Sequence, residues 1–283
     1  MTLTRSDVQR LLGDHGLRPS RALGQNFVVD PNTVRRVARL AGVAEGTPVV
    51  EIGAGLGSLT LALADAGARV VAVEVDRGIV PVLREVVAGR DVTVVEADAL
   101  ELDWATLLGP PGPETGRWVL VANLPYNVAT PLVVSVLERA PQVAALLVMV
   151  QREVAERLAA GPGDPPYGAV SVKVAYWAEA QVVGRVPATV FVPRPKVESA
   201  LVRIDRRPVP AVDPGVVPYD RLFAVVRAGF AHRRKMLRRS LAGVVEPAAF
   251  EATGISPEAR AEDLGVAQWG RLAGWTPPTG FEG

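Results

Sequence analysis

Short apolar runs rich in β-branched residues alternate with stretches of helical periodicity along the first half of this chain. Pro48–Ile52 reads as a buried strand, Ser58–Ala66 as a helix, Arg69–Val75 as a second strand and Gly78–Val87 as a second helix. Val92–Glu96, Trp118–Ala122 and Ala144–Val150 continue the strands, with Thr130–Glu138 and Gln151–Ala160 as further helices. Runs of this kind, with helices between them, predict an α/β fold around a parallel, doubly wound sheet. Gln181–Val186 and Ser199–Ile204 read as two late strands at an antiparallel edge. The proline-rich segment Asp205–Pro218 reads as a linker. Beyond it the pattern is helical: Asp220–Gly229, Lys235–Ala242, Pro247–Thr253, Pro257–Leu264 and Val266–Leu272. The expected organisation is a large α/β domain over 1–205, entered through a helical and loop extension at 1–30, and a small helical domain over 206–283. A chain of 283 residues has room for both.

Composition removes several chemistries. The chain has no cysteine, which excludes disulfides, cysteine zinc sites, iron–sulfur clusters and thiolate nucleophiles. His15 and His232 are its only histidines, so no multi-histidine metal site is expected. The N-terminus lacks the apolar core of a signal peptide, and Val143–Val150 is too short to span a membrane. The reading is a soluble, cytoplasmic protein without metal or membrane partners. No extra apolar helix face stands out, so a monomer is expected. Net charge is only +1, yet Arg203–Gly243 carries ten basic and three acidic residues, which leaves −6 for the remainder. A basic region on a mildly acidic body points to a polyanion met on one side.

The candidate site follows from the strand ends. Glu51-Ile52-Gly53-Ala54-Gly55-Leu56-Gly57 occupies the first strand–helix turn, where glycines let the backbone approach a ligand. Glu74 ends the second strand, 21 residues after Gly53, and is placed to hold two ribose hydroxyls. Asp98 follows the third strand and can accept an adenine amino group. Glu51 can pair with a cationic or amino group. These features suit either NAD or S-adenosylmethionine. Ser58 stands where a pyrophosphate-binding turn wants glycine, which disfavours the dinucleotide. After the strand Trp118–Ala122 comes Asn123-Leu124-Pro125-Tyr126. Its Asn123 amide oxygen and Leu124 carbonyl can accept the N–H groups of an exocyclic amine. Pro125 stiffens the loop, and Tyr126 offers a face on which a planar base can stack. The same tetrapeptide also suits an Asx-type turn with a core tyrosine; its company with Glu51, Glu74 and Asp98 favours the chemical reading.

Taken with Leu23-Gly24-Gln25-Asn26-Phe27, Phe191-Val192-Pro193-Arg194-Pro195-Lys196-Val197-Glu198-Ser199 and Phe230-Ala231-His232-Arg233-Arg234-Lys235, these motifs resemble the bacterial small-subunit ribosomal RNA adenine dimethyltransferases, the KsgA type. The resemblance covers nearly the whole chain. It implies a Rossmann-like class I methyltransferase sheet with a helical C-terminal RNA-binding domain, S-adenosylmethionine as cofactor, and 16S ribosomal RNA in the small-subunit precursor as partner. The implied product is N6,N6-dimethyladenine at two adjacent adenines in a hairpin near the RNA 3′ end. Asn26, Val28, Gly53, Glu74, Asp98 and Asn123 are implied cofactor contacts, with Glu51, Gly55 and Ala99 beside them.

Methyl transfer to adenine N6 needs its delocalised lone pair localised. Acceptors at Asn123 and Leu124 would do that without a general base. The segment Phe230–Arg239 is expected to bring Arg233, Arg234, Lys235 and Arg238 to RNA phosphates from a helix. Phe191 is expected to give the base a second stacking face, and Gln25-Asn26-Phe27 to fold over the cofactor. No role is assigned to the insert Gly109–Gly116. Three rivals stand beside this reading: a 23S ribosomal RNA adenine dimethyltransferase, a ribosome-assembly or nucleic-acid-binding factor without catalysis, and a dinucleotide-dependent oxidoreductase.

Overall fold

The computed structural model describes residues 2–110, 117–125 and 128–276. The elements are, in chain order, α1 (Arg5–Asp14), β1 (Phe27–Val28), α2 (Pro31–Leu40), β2 (Pro48–Ile52), α3 (Ser58–Asp65), β3 (Arg69–Glu74), α4 (Val80–Val86) and β4 (Val92–Glu96). They continue with α5 (Trp104–Leu108), β5 (Trp118–Asn123), α6 (Ala129–Arg139), β6 (Val143–Gln151), α7 (Arg152–Ala159), α8 (Ala169–Trp177), β7 (Ala178–Val186), β8 (Phe191–Val192) and β9 (Ser199–Arg206). The last helices are α9 (Tyr219–Ala231), α10 (Leu237–Ser240), α11 (Pro247–Thr253) and α12 (Val266–Gly274). The chain divides into two compact units, Met1–Glu156 with Ala180–Arg206, and Arg157–Glu179 with Arg207–Gly283.

The first unit holds a seven-stranded sheet in the order β4-β3-β2-β5-β6-β9-β7. β2 lies in the middle and pairs in parallel with β3 and β5. Its Val49, Val50, Glu51 and Ile52 are all buried, as a strand covered on both faces requires. From β2 the chain winds outward to β3 and β4 on one side, then returns to β5 and β6 on the other. That reversal opens a crevice at the C-terminal ends of β2 and β5. β9 enters the sheet antiparallel to β6, with Leu147 opposite Arg203, and β7 forms the edge. The two late strands are therefore one inner strand and one edge strand. β1 pairs with β8 in a separate two-stranded ribbon, Phe27 opposite Val192 and Val28 opposite Phe191.

Local chemistry sets the helix starts. Thr4 and Asp7 form a reciprocal cap on α1. Asp30 accepts the Thr33 N–H at 2.9 Å, and Pro31 opens α2. α1 packs Val8 and Leu11 on Phe27, Val29, Leu56, Ile79 and Val82.

The second unit has its own core, built on Tyr176, Phe223, Phe250 and Trp269. It takes in residues 157–179 as well as the region from 207, a larger share than the expected 206–283. The reason is α8, whose Val172 and Tyr176 are buried in that core. Two expected helices differ here. Lys235–Ala242 is a turn at 232–235 followed by the short α10, and Pro257–Leu264 contains only a 3-10 turn, Ala261–Asp263. The second change has a cause in the backbone. Leu237 N–H donates to the Ala259 carbonyl at 2.8 Å and Arg238 N–H to the Pro257 carbonyl at 3.0 Å. The Pro257 and Ala259 carbonyls are thereby taken from the bonds that a helix over 257–264 would make.

Candidate active site

The crevice at the ends of β2 and β5 contains two adjoining cavities. The first is lined by Asn26, Val28, Glu51, Gly53, Gly55, Glu74, Asn123, Leu124 and Pro125, among others. The second is lined by Gly53, Asp98, Ala99, Pro125 and the apolar side chains of Leu23, Val75, Leu100 and Leu132. The structure thus brings together every described residue expected to bind cofactor or to act at the amine. Tyr126 lies outside the described residues, as do residues 111–116 of the insert.

Each polar group is held by its element. Glu74, at the last position of β3, accepts the Gly55 N–H on one oxygen at 2.7 Å and the Val75 and Asp76 N–H groups on the other at 3.0 and 2.9 Å. Burial nevertheless holds its carboxyl above the usual range, against those three donors. Asp98 accepts the Leu100 N–H at 2.9 Å through one oxygen, a turn that fixes the carboxylate beside the second cavity. Gly55 has φ of +57°, and a Cβ there would stand 3.1 Å from the Phe27 ring, so the cover of the site needs glycine at this place.

Residues 23–28 cover the first cavity. Gln25 bridges this loop, donating from Nε2 to Asp76 at 2.8 Å while its Oε1 accepts the Ser20 N–H at 2.8 Å. Asn26 donates to the Gly24 carbonyl at 3.0 Å. Asn123 ends β5 and donates from Nδ2 to the Asn26 carbonyl at 2.9 Å. Its nitrogen is committed, which leaves the oxygen as acceptor. Leu124 donates its N–H to the Met149 carbonyl at 3.0 Å. Among the described residues no donor reaches the Leu124 carbonyl.

Glu51 is the least provided for. It is 1% exposed, and its Oε2 has no hydrogen-bond partner among the described residues. The Ser58 hydroxyl in the same cavity is likewise buried and unpartnered. Buried polar atoms without partners at a cavity wall are what a polar ligand would satisfy. A cavity lined by two carboxyls, joined to an apolar slot with Asp98 at its rim, fits the chemistry of S-adenosylmethionine, which offers cationic groups, a diol and a flat base.

Some expectations change. Phe191 is 1% exposed, packs in the core with Val28, and lines neither cavity. Its pairing with β1 turns the ring inward, so it serves packing and not base stacking. In the second unit, Arg233 donates to Glu262 at 2.7 Å and to the Pro165 carbonyl at 2.6 Å, and Arg238 faces Glu258 at 3.5 Å. Arg234 and Lys235 are exposed on the 232–235 turn, not on a helix. Sequence reasoning missed Ser58 and the apolar wall of Leu23, Val75 and Leu100. Val75 is 45% exposed, which is unusual for valine and follows from its place at the mouth of both cavities.

No helix among the described residues is long and apolar enough to cross a membrane, and no group of metal-ligand side chains occurs among them. A family model described as ribosomal RNA adenine dimethylase matches residues 17–276. The ribosomal RNA small subunit methyltransferase A of Kineococcus radiotolerans is 48% identical over 97% of this chain and 92% of its own length. That of Thermobifida fusca is 46% identical over 97% of this chain and 96% of its own. Among solved structures, the 23S rRNA methyltransferase ErmE aligns at TM-score 0.68 and 29% identity, covering 87% of this chain and 98% of that one. A dimethyladenosine transferase from Plasmodium falciparum aligns at TM-score 0.72, covering 87% and 95%; at 22% identity it speaks for the fold alone.

Proposed function

The chain belongs to the ribosomal RNA adenine dimethylase family, and we propose that it uses S-adenosylmethionine to dimethylate N6 of two adjacent adenines near the 3′ end of 16S RNA in the small ribosomal subunit. The observation that carries the chemistry is Asn123, which lines the cavity with its nitrogen bound to Asn26 and its oxygen left to accept. Bound S-adenosylmethionine supplies an electrophilic methyl group. Asn123 Oδ1 and the Leu124 carbonyl take the two N6–H groups, favour a pyramidal nitrogen and localise its lone pair. The cationic amine formed on attack loses its proton to water readily, so no general base is needed. Positioning supplies up to roughly 7–11 kcal/mol in ideal cases. The base must leave its stack, at a cost of a few kcal/mol, and stacking on Tyr126 returns about 1–3 kcal/mol. Glu74 holds the ribose, Asp98 with Ala99 the adenine, and Glu51, Gly53, Gly55, Asn26 and Val28 the remainder.

Relatives support the small subunit as substrate. Proteins named for that subunit match at 46–48% identity over nearly the whole chain, whereas the 23S enzyme matches at 29%. The absence of an extra apolar helix face in the sequence supports a monomer, and a ribosomal substrate supports work in the cytoplasm. The test is methyl incorporation from labelled S-adenosylmethionine into unmodified small and large subunits in parallel, with nuclease digestion of the product. Dimethyladenosine in 16S RNA alone is expected. Label in 23S RNA, or in neither, would overturn the reading.

A further inference from the structure

The charged groups around the first cavity are unbalanced. Its described lining residues include the carboxyls of Glu51 and Glu74 and no lysine, arginine or histidine. The adjoining cavity adds Asp98 and again no cation. Glu74 has three backbone donors. Among the described residues Glu51 has none to Oε2, and its sheet neighbours are the uncharged Ala72 and Val121. α3 presents the Ser58 and Thr60 hydroxyls; the Thr60 oxygen lies near Glu51 but outside hydrogen-bonding geometry. β3 presents the Glu74 carboxyl, the cover loop the Asn26 amide, and β5 the Asn123 amide. Of the groups around Glu51, only the Thr60 hydroxyl favours an ionised carboxyl. Burial pushes its carboxyl up to about 8, the Thr60 hydroxyl opposes the shift, and the Glu74 charge adds to it.

We propose that Glu51 is a proton-linked acceptor for a cationic group of S-adenosylmethionine: the protein without cofactor keeps this carboxyl protonated, and the entering cation displaces the proton and becomes its partner. The inference rests on the cofactor named above and adds how the site selects it. The cofactor carries two candidate cations. Its ammonium persists in the demethylated product, S-adenosylhomocysteine, while its sulfonium becomes a neutral thioether. In either case the proton leaves to solvent, and the neutral acid becomes a carboxylate paired in a dry cavity. A buried anion is acceptable there only once it is paired.

Calorimetry of the full chain at pH 7, in two buffers of different ionisation heat, counts the protons released on binding. The wild type should release close to one proton per S-adenosylmethionine, with affinity rising by up to about tenfold per pH unit from pH 6 and levelling near pH 8. Glu51→Gln should bind with no release and no such slope. Release with both ligands assigns the ammonium as partner, and release with S-adenosylmethionine alone assigns the sulfonium. Binding without release by the wild type, or release that survives Glu51→Gln, would overturn the proposal and leave the function standing. Failure of S-adenosylmethionine to bind at all would remove both. Should the variant not fold, infrared difference spectra of the wild type decide. The protonated-carboxyl band should vanish when cofactor is added, and its persistence sinks the idea.

Discussion

Asn123 does two things with one side chain. Its nitrogen ties the end of β5 to the cover loop through the Asn26 carbonyl, and its oxygen is left to accept at the cavity wall. Asn123→Ala removes an acceptor present where charge develops, so the rate of methyl transfer should fall by about 10²–10³. Single-turnover incorporation of labelled methyl checks this, with circular dichroism to show an intact fold; full activity would return the tetrapeptide to a mere turn. Glu51 has a stability consequence as well. When unfolded it ionises near 4.5, whereas folded and without cofactor it keeps its proton up to about 8. The native chain therefore holds more protons over that window, and stability is lost as pH rises through it. Glu51→Gln should raise the melting temperature without cofactor, more at pH 8 than at pH 5; an equal gain at both would mean that ionisation is not the cause. These residues were legible because each sits at the end of, or within, an apolar strand whose period is plain. Phe191 was not, because its burial depends on pairing with Val28, which lies far away in sequence.

At the scale of elements, the parallel core could be read because its strands are continuous apolar runs. α8 could not. Val170-Ser171-Val172-Lys173-Val174 alternates as a strand would, yet it forms a helix. Burial of Val172 and Tyr176 in the second core overrides the local preference. Proline content marked Asp205–Pro218 as linker, but β9 runs on to Arg206. That arginine is an anchor. Its guanidinium donates to the carbonyls of Val143, Leu137, Val136 and Ala140 at 2.7, 2.9, 3.1 and 3.1 Å, closing the C-terminal end of α6. Burial lowers its pKa to about 10, so it stays charged near neutral pH and complements the helix dipole. Arg206→Ala should cost about 2–4 kcal/mol, since several buried carbonyls lose a charged donor. Urea unfolding followed through the tryptophans measures it, and a change within about 0.5 kcal/mol, as for surface sites, would mean the cluster is not structural.

Across the whole molecule, the excess of basic residues over Arg203–Gly243 is real in sequence but divided in use. Arg206, as above, and Arg203, which donates to the Leu40 and Ala41 carbonyls, hold the first unit. Arg207, Arg221, Arg233 and Arg238 bond carbonyls or carboxylates within the second. Counting charges along a chain cannot tell which are spent on the fold, because their partners come from distant segments. Among the described residues, Arg227, Arg234, Lys235 and Arg239 are exposed and show no such partner. A phosphate backbone recognised by these groups gives affinity that falls with salt and is indifferent to sequence. Arg234→Ala and Lys235→Ala should each flatten the plot of log affinity against log salt for small-subunit RNA by about 1, with melting temperature unchanged. Arg233→Ala should behave in the opposite way, lowering the melting temperature through loss of its bonds to Glu262 and Pro165 while leaving the salt slope near that of the wild type. Filter binding over a range of salt, beside thermal melts of the same variants, separates the two classes. If Arg233→Ala flattened the slope and left the melt alone, its pairing in the free protein would be one that RNA displaces, and the division between structural and recognition charge would have to be redrawn.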